Sequence, residues 1–561
     1  MPSRRTRPTP RSAAPAWSVR RRVCAPRRWG SGAVPAWYRI RTSCGDDTAP
    51  TDRRVGLIIS WVDTIFRRDD TSEVTISNLS EDASERPGLT PRARKAVVVV
   101  LIGAILAFLD ATVVNVALKS LSGTLDSSLD AIQWVVTVYL LAQAAVLPVT
   151  GWAVRRIGAK RLYLVSLLVF VIASVACGLS GGVGELIAAR VFQGIGGGVM
   201  VPAGQMILVT AAGQRGLARV MAAVGIPMVL TPVVGPTIGG LLLENVGWQW
   251  IFLINVPLGL VGLLLALRLL PADERAESAG PLDVFGLALA SLGMACLTYA
   301  LAEAGSLGIS APRVLITGAV GIVALAAFVL RSLRVAHPVL DVRLYRDALF
   351  SSASIATFIF GAATFGAMVL LPLYFQLVRH QDAAHTGMML APQGIGAAVA
   401  MAVSSRVFDR IGSRICVLGS VIGIIATLPF MLITADMPYW VLAAAMVVRG
   451  AGIGLAVMPA MTVALGTLRP EKISDATPQL NIMQRLGGSI GTAVFVIILD
   501  KSLRDKGIQP ADQAAAFGVT FAWVLAAAVL ATLPTIVMAV LERRAARPDS
   551  GATLAGIVAP D

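Results

Sequence analysis

Charge is what this sequence has least of. Only 14% of its 561 residues are Asp, Glu, Lys or Arg, against about 25% in ordinary soluble domains. Histidine is almost missing: His337, His380 and His385 are the three present, and none forms an H-E-x-x-H pair. The five cysteines include no pair at metal-ligand or disulfide-framework spacing. No G-x-x-x-x-G-K-[ST] loop occurs, and no nucleophile stands beside a candidate base. These absences argue against a soluble enzyme, a metal centre and a nucleotide-driven pump, and no cofactor is implied. What fills the space is apolar: 56% of the residues are hydrophobic. They gather in runs of about 20, enough to cross a ~30 Å hydrocarbon core.

Fourteen such runs are expected, at 96–118, 131–153, 162–180, 185–209, 218–242, 249–270, 283–304, 312–331, 348–376, 385–405, 413–434, 438–460, 479–499 and 516–541. Residues 1–92 read as a basic, Arg- and Pro-rich disordered tail. Its apolar stretch 55–62 is too short to span, and translation starting near Val74 is an alternative reading. Residues 546–561 read as a second tail. The net charge of +15 does not point to nucleic acid, because +9 of it precedes the first run and the rest sits mostly in short loops. Arg155, Arg156, Lys160, Arg161, Arg406, Arg410 and Arg414 fall on one side. The other side has few basic residues, Lys119 and Lys501 among them. This asymmetry predicts both termini in the cytoplasm of a cell membrane protein.

The chain also repeats itself. Gly151-Trp-Ala-Val-Arg155-Arg156-Ile-Gly158-Ala-Lys160-Arg161 follows the second run, and Ser405-Arg-Val-Phe-Asp409-Arg410-Ile-Gly412-Ser-Arg follows the tenth. Arg190 in the fourth run and Arg449 in the twelfth are each followed by glycines. The spacing predicts six-helix bundles at 93–272 and 341–545, with two accessory helices within 273–340. A site between the halves near the bilayer midplane, reached by alternating access, is the usual consequence.

Five motifs in order resemble the major facilitator superfamily, specifically its fourteen-helix drug:proton antiporters of the EmrB/QacA type. They are Leu109-Asp110-Ala-Thr112-Val-Val-Asn115-Val-Ala117-Leu118, the loop 151–161, Arg190-Val-Phe-Gln193-Gly194-Ile-Gly196, Gly235-Pro236-Thr-Ile-Gly239-Gly240, and Trp248-Gln-Trp250-Ile-Phe-Leu-Ile-Asn255-Val-Pro257. The resemblance covers about 93–545. Three positions depart from the family pattern: Lys119 replaces a proline, Arg155 replaces the loop's acid, and His380 stands where glycine is common. Asp409 keeps the acid in the second copy. The resemblance implies an all-α major facilitator fold that expels amphipathic small molecules in exchange for protons. It further implies a monomer, joined by a periplasmic adaptor where the envelope has two membranes. Rival readings are a dedicated exporter of one self-made metabolite, an uptake symporter, and a non-transporting receptor or scaffold. Gly235-Pro236 argues against the symporter.

Asp110 is the candidate proton carrier, because a carboxylate inside an apolar span costs about 2.5–3.5 kcal/mol on insertion scales and is rarely retained without use. Its bland alternative is a hydrogen-bonded structural acid. At ~1.5 Å per residue, Asp110 lies ~12 Å and Arg190 ~8 Å from the outer ends of their spans, close enough to pair. Arg190 could instead only pin helices through carbonyls. Gly235, Pro236, Gly239 and Gly240 read as close-packing residues. Gly151, Arg155, Arg156, Gly158, Lys160, Arg161, Asp409, Arg410 and Gly412 are gate candidates or mere topology signals. Asn115, Tyr139, Gln143, Gln193, Phe360, Tyr374, Gln376, Asn481 and Gln484 are cavity candidates. Glu303 and Arg485 are expected near span ends, satisfied by water or headgroups.

Overall fold

Apolar runs of this length have one way to satisfy their backbone in lipid without pairing to another segment, which is to close every N–H onto a carbonyl one turn back. The structure, a computed structural model, describes residues 89–273, 280–507 and 509–545. They belong to one compact unit, Ser72–Asp561. The tail readings for 1–88 and 546–561 lie outside the described residues.

Among the described residues, fourteen helices are long and apolar enough to cross a membrane. The first six are α1 (Pro91–Thr124), α2 (Leu129–Ile157), α3 (Ala159–Gly178), α4 (Val183–Gly213), α5 (Gly216–Asn245) and α6 (Gln249–Leu269). Next come α7 (Val284–Gly305) and α8 (Pro312–Arg334). The last six are α9 (Ala348–Leu377), α10 (His385–Ile411), α11 (Arg414–Met431), α12 (Tyr439–Gly466), α13 (Glu471–Lys506) and α14 (Pro510–Arg544). Each matches one expected run. The starts follow ordinary capping chemistry. Thr90 accepts from Ala93 N with Pro91 in the first turn, and Asp347 accepts from Phe350 N.

The largest departure is α13. The apolar run begins near 479, yet the helix starts a little after Arg469, because Pro470 suits a first turn and the polar stretch behind it has partners. Lys472 Nζ reaches Asp341 at 2.9 Å. Burial raises the pKa of Asp341, but Lys472 and the Arg343 N–H outweigh it and hold the carboxyl below the usual carboxylate range. The anchor is therefore present at neutral pH and is lost only as acid protonates Asp341.

Helices α1–α6 pack together, as do α9–α14. The accessory pair α7–α8 packs against itself, and α7 also touches α2 and α13. Trp134 stacks on Tyr299 at 5.6 Å, and Ser291 Oγ donates to the Ala145 carbonyl at 2.6 Å. An ion pair of 2.8 Å between Arg331 and Asp283 joins α8 to the start of α7. The accessory helices thus lie along the seam between the two bundles.

Candidate functional site

Asp110 is enclosed, with 1% of its surface exposed, and Arg190 is fully buried. Arg190 Nη1 donates to Asp110 Oδ2 at 2.5 Å. Gln193 Nε2 and Asn255 Nδ2 donate to Oδ1 at 2.9 and 3.0 Å. Helices α1, α4 and α6 therefore converge on one carboxylate. Arg190 also donates to the Val135 carbonyl at 2.9 Å and to Gln193 Oε1 at 2.8 Å, and it lies 4.0 Å over the Tyr139 ring. A charge buried this deeply is tolerable only when paired and hydrogen-bonded on all sides, and this one is. Sequence reasoning pairs Asp110 with Arg190, and it names Gln193 and Tyr139 as cavity candidates rather than as partners of the acid. Asn255 stands within one of the sequence motifs, with no site role assigned to it there. The available signal was an amide in the middle of an otherwise apolar span.

The Gly235 motif packs directly behind this centre. A Cβ on Gly235 would sit 2.2 Å from Thr112 Oγ1, and one on Gly239 would sit 3.1 Å from Val113. Both contacts fall within a turn of Asp110. Gly240 meets nothing within 4 Å, so its assigned packing role is not borne out. Pro236 faces Gly387 on α10, across the seam.

The two basic loops are built alike. Gly158 takes φ +93° and Gly412 takes φ +57°, values that L side chains rarely adopt. In each, an acid from the end of the same bundle caps the next helix. Asp273 accepts from Lys160 N at 2.8 Å and Arg161 N at 3.1 Å, and Glu542 accepts from Ser413 N at 2.8 Å. Lys160 Nζ itself binds the Leu270 carbonyl at 2.6 Å, so it ties α3 to the end of α6 within its own bundle. Arg156, Arg161 and Arg410 are exposed.

Arg155 and Asp409 do reach the other bundle. Arg155 pairs with Asp475 on α13 and lies 3.2 Å from Ser474 Oγ. Asp409 pairs with Arg219 on α5 at 3.2 Å. The position that departs from the family's acid is therefore not a lost contact: its charge is reversed and it meets an acid. Gly151 lies where a Cβ would be 2.4 Å from the Ser474 carbonyl, so α2 and α13 touch backbone to backbone at this end. Further along the seam Asn481 donates to Gln205 at 2.7 Å, Arg485 to Gln143 at 2.6 Å, and Gln484 approaches Met228. The two bundles are thus closed against each other at the basic-loop end.

Several expectations need correction. Arg485 is not near a span end: it sits midway along α13 and bonds across the seam. Tyr374 lines neither of the two cavities below. Its hydroxyl donates to the Thr434 carbonyl at 2.7 Å, and its ring packs edge-on against Phe517 inside the second bundle. Asn115 and Gln376 are exposed and line neither of the cavities below. Gln143, Asn481 and Gln484 form seam contacts, while Tyr139 and Gln193 belong to the acid centre. Phe360 does line a cavity, among α9, α11, α12 and α14. A second cavity lies between α5 of the first bundle and α9, α10 and α12 of the second. Its walls are apolar except for Thr364 and Gln393.

Residues 100–492 match the family model of the Major Facilitator Superfamily. The multidrug resistance protein B homolog of Mycobacterium tuberculosis is 37% identical over 72% of this chain and 75% of that protein. The methylenomycin A resistance protein of Streptomyces coelicolor is 36% identical over 71% of this chain and 84% of that protein. The crystal structure of the human organic anion transporter MFSD10 (TETRAN) superimposes with a TM-score of 0.54. It covers 80% of this chain and all of that one at 16% identity, a likeness of fold.

Proposed function

The chain belongs to the major facilitator superfamily and is a multi-pass membrane transporter, not an enzyme; on that footing we propose that it exports amphipathic small molecules in exchange for protons. The observation that carries the exchange is the buried Asp110 with its three donors. Its anion is held by one cation and two amides. A proton on Asp110 removes the charge that Arg190 is paired with. Arg190 then keeps neutral partners already in place, namely the Val135 carbonyl, Gln193 Oε1 and the Tyr139 face. Two charge states with two satisfied arrangements are what a proton-driven conformational cycle requires.

The pairs Arg155–Asp475 and Asp409–Arg219 would serve as the gate at the basic-loop end, opening and closing as the bundles rock. The excess of Lys and Arg there supports a cytoplasmic location for that end and for both termini. External labelling that misses a cysteine placed at Lys501 would overturn this orientation. The seam cavity, apolar with few polar groups, suits amphipathic cargo. A dedicated exporter of one metabolite would use the same parts, and the relative named for methylenomycin A resistance keeps that reading open. Efflux of a panel of unrelated dyes and antibiotics separates the two.

The decisive test replaces the carboxyl. Asp110→Asn is isosteric and uncharged, so it should insert normally. In inside-out vesicles with an imposed pH gradient, it should no longer accumulate cargo uphill, whereas the parent protein should do so until a protonophore is added. Uphill transport by Asp110→Asn at the parental rate would mean that the proton travels elsewhere.

A further inference from the structure

Arg449 on α12 is the repeat counterpart of Arg190 on α4, and the two are held in parallel ways. Arg190 bridges α1 and α2, through Asp110 and the Val135 carbonyl. Arg449 bridges α9 and α10, through the Ala363 carbonyl at 3.2 Å and Gln393 Oε1 at 3.3 Å. The difference is the acid. In the first bundle the helix that opens the repeat supplies Asp110. In the second bundle the matching helix supplies only the Ala363 backbone. Among the described residues no carboxylate pairs with Arg449, yet it is only 4% exposed. Two neutral acceptors at long distances do not replace the hydration a guanidinium gives up on burial.

Arg449 also lines a cavity, which includes Phe360, Thr364, Ser420, Thr427 and Ile453. The space there is small, on the scale of a carboxylate group rather than of a whole ligand, and it adjoins the roomier seam cavity through shared walls. A Cβ on Gly423, another lining residue, would meet nothing within 4 Å. Gln393, the partner of Arg449, lines the seam cavity, and Thr364 and Ile453 line both. Neither lining includes an Asp or Glu. Arg449 is thus the one charged side chain lining either cavity, set among mostly apolar walls with a few hydroxyls.

We infer that the second bundle holds an anion-accepting subsite at Arg449, which binds the carboxylate of an amphipathic organic acid. The inference rests on the export reading above and names the class of cargo that reading leaves open. The cargo's own carboxylate stands where Asp110 stands in the first bundle. Its apolar body lies against Phe360 and Ile453. A cationic cargo is disfavoured for the same reason, since it would bring a second positive charge beside Arg449. The Thr364 hydroxyl, on the wall shared by the two cavities, is placed to add a hydrogen bond.

The test uses the purified full-length protein and a matched probe pair, 2-naphthoate and 2-naphthamide, titrated by calorimetry. The probes share a ring system and differ in charge. The parent protein should prefer the carboxylate by roughly tenfold or more, the scale of one hydrogen bond to a charged group. Arg449→Gln should erase the preference by weakening naphthoate while sparing naphthamide, and Arg449→Lys should keep part of it. If Arg449→Gln does not fold, Gln393→Glu gives the same answer, because the new carboxylate would pair with Arg449 and exclude naphthoate. A preference that survives Arg449→Gln or Gln393→Glu, or no preference in the parent, overturns the subsite. So does full displacement of naphthoate by chloride at equal concentration, which would make this a site for small inorganic anions. Dye efflux from cells is scored separately. Efflux without carboxylate preference would leave export standing and remove the subsite, and Arg449-dependent binding without efflux would do the reverse.

Discussion

Asp110 shows how much one residue's chemistry can disclose before its neighbours are known. An acid in the middle of an apolar span has to be satisfied, and only a few polar groups in the nearby spans could do it. Arg190 and Gln193 were among them. Asn255 completes the set, and it supplies a prediction. Asn255→Leu removes one of the two amide donors to Oδ1. A hydrogen bond to a charged group contributes about 1.5–3 kcal/mol, so gradient-driven efflux should slow by roughly tenfold while expression and insertion hold. An unchanged initial rate of dye efflux at matched expression would assign Asn255 to packing alone. Tyr374 teaches the converse. An aromatic residue with a polar tip in a span reads equally as cavity wall or core, and its edge contact with Phe517 and bond to Thr434 make it core.

At the scale of the helix, the contact between α1 and α5 ties the acid centre to the antiporter-like motif. Gly235 admits Thr112 where any side chain would collide. Gly235→Ala should therefore force α5 away from α1 at a cost of about 1–3 kcal/mol, lowering both thermal stability in detergent and transport. Gly240→Ala, next to Gly239 in sequence but facing open space, should change neither. Equal tolerance of the two substitutions would show that the approach of α1 to α5 carries no function. The motif's letters are the same at both glycines, so this asymmetry comes from which side of α5 faces a neighbour.

For the whole molecule the informative feature is the closed end where the basic loops meet α13 and α5. A carboxylate-only view of the gate would make Asp409 the sole latch, with Asp409→Asn more damaging than Arg155→Ala. The pairing of Arg155 with Asp475 predicts instead that both contacts hold the bundles together. Arg155→Asp sets two acids face to face and Asp475→Arg sets two cations, so each alone should impair transport. The double substitution restores opposite charges and should recover most of the activity. Partly exposed pairs contribute only about 0.2–1 kcal/mol each, so the expected effect is a several-fold change in export rate rather than loss of the fold. Failure of the double variant to improve on the single ones would remove this pair from the gate.

The number of spans, their order and the repeat were legible in the chain because each depends on a local property. A run of about 20 apolar residues crosses the bilayer whatever lies beside it, and a loop motif is read without knowing its partner. Only folding could decide the partners themselves. Asp475 faces Arg155 from 320 positions away, and α13 starts well before its apolar run because polar neighbours are waiting there. Nor could the sequence show that Arg449 has no carboxylate partner among the described residues, since such an absence exists only once every helix that could have supplied one has taken its place. Electrostatics and packing act through space at distances of a few ångströms. Sequence order constrains those distances within a helix and leaves them undetermined between helices.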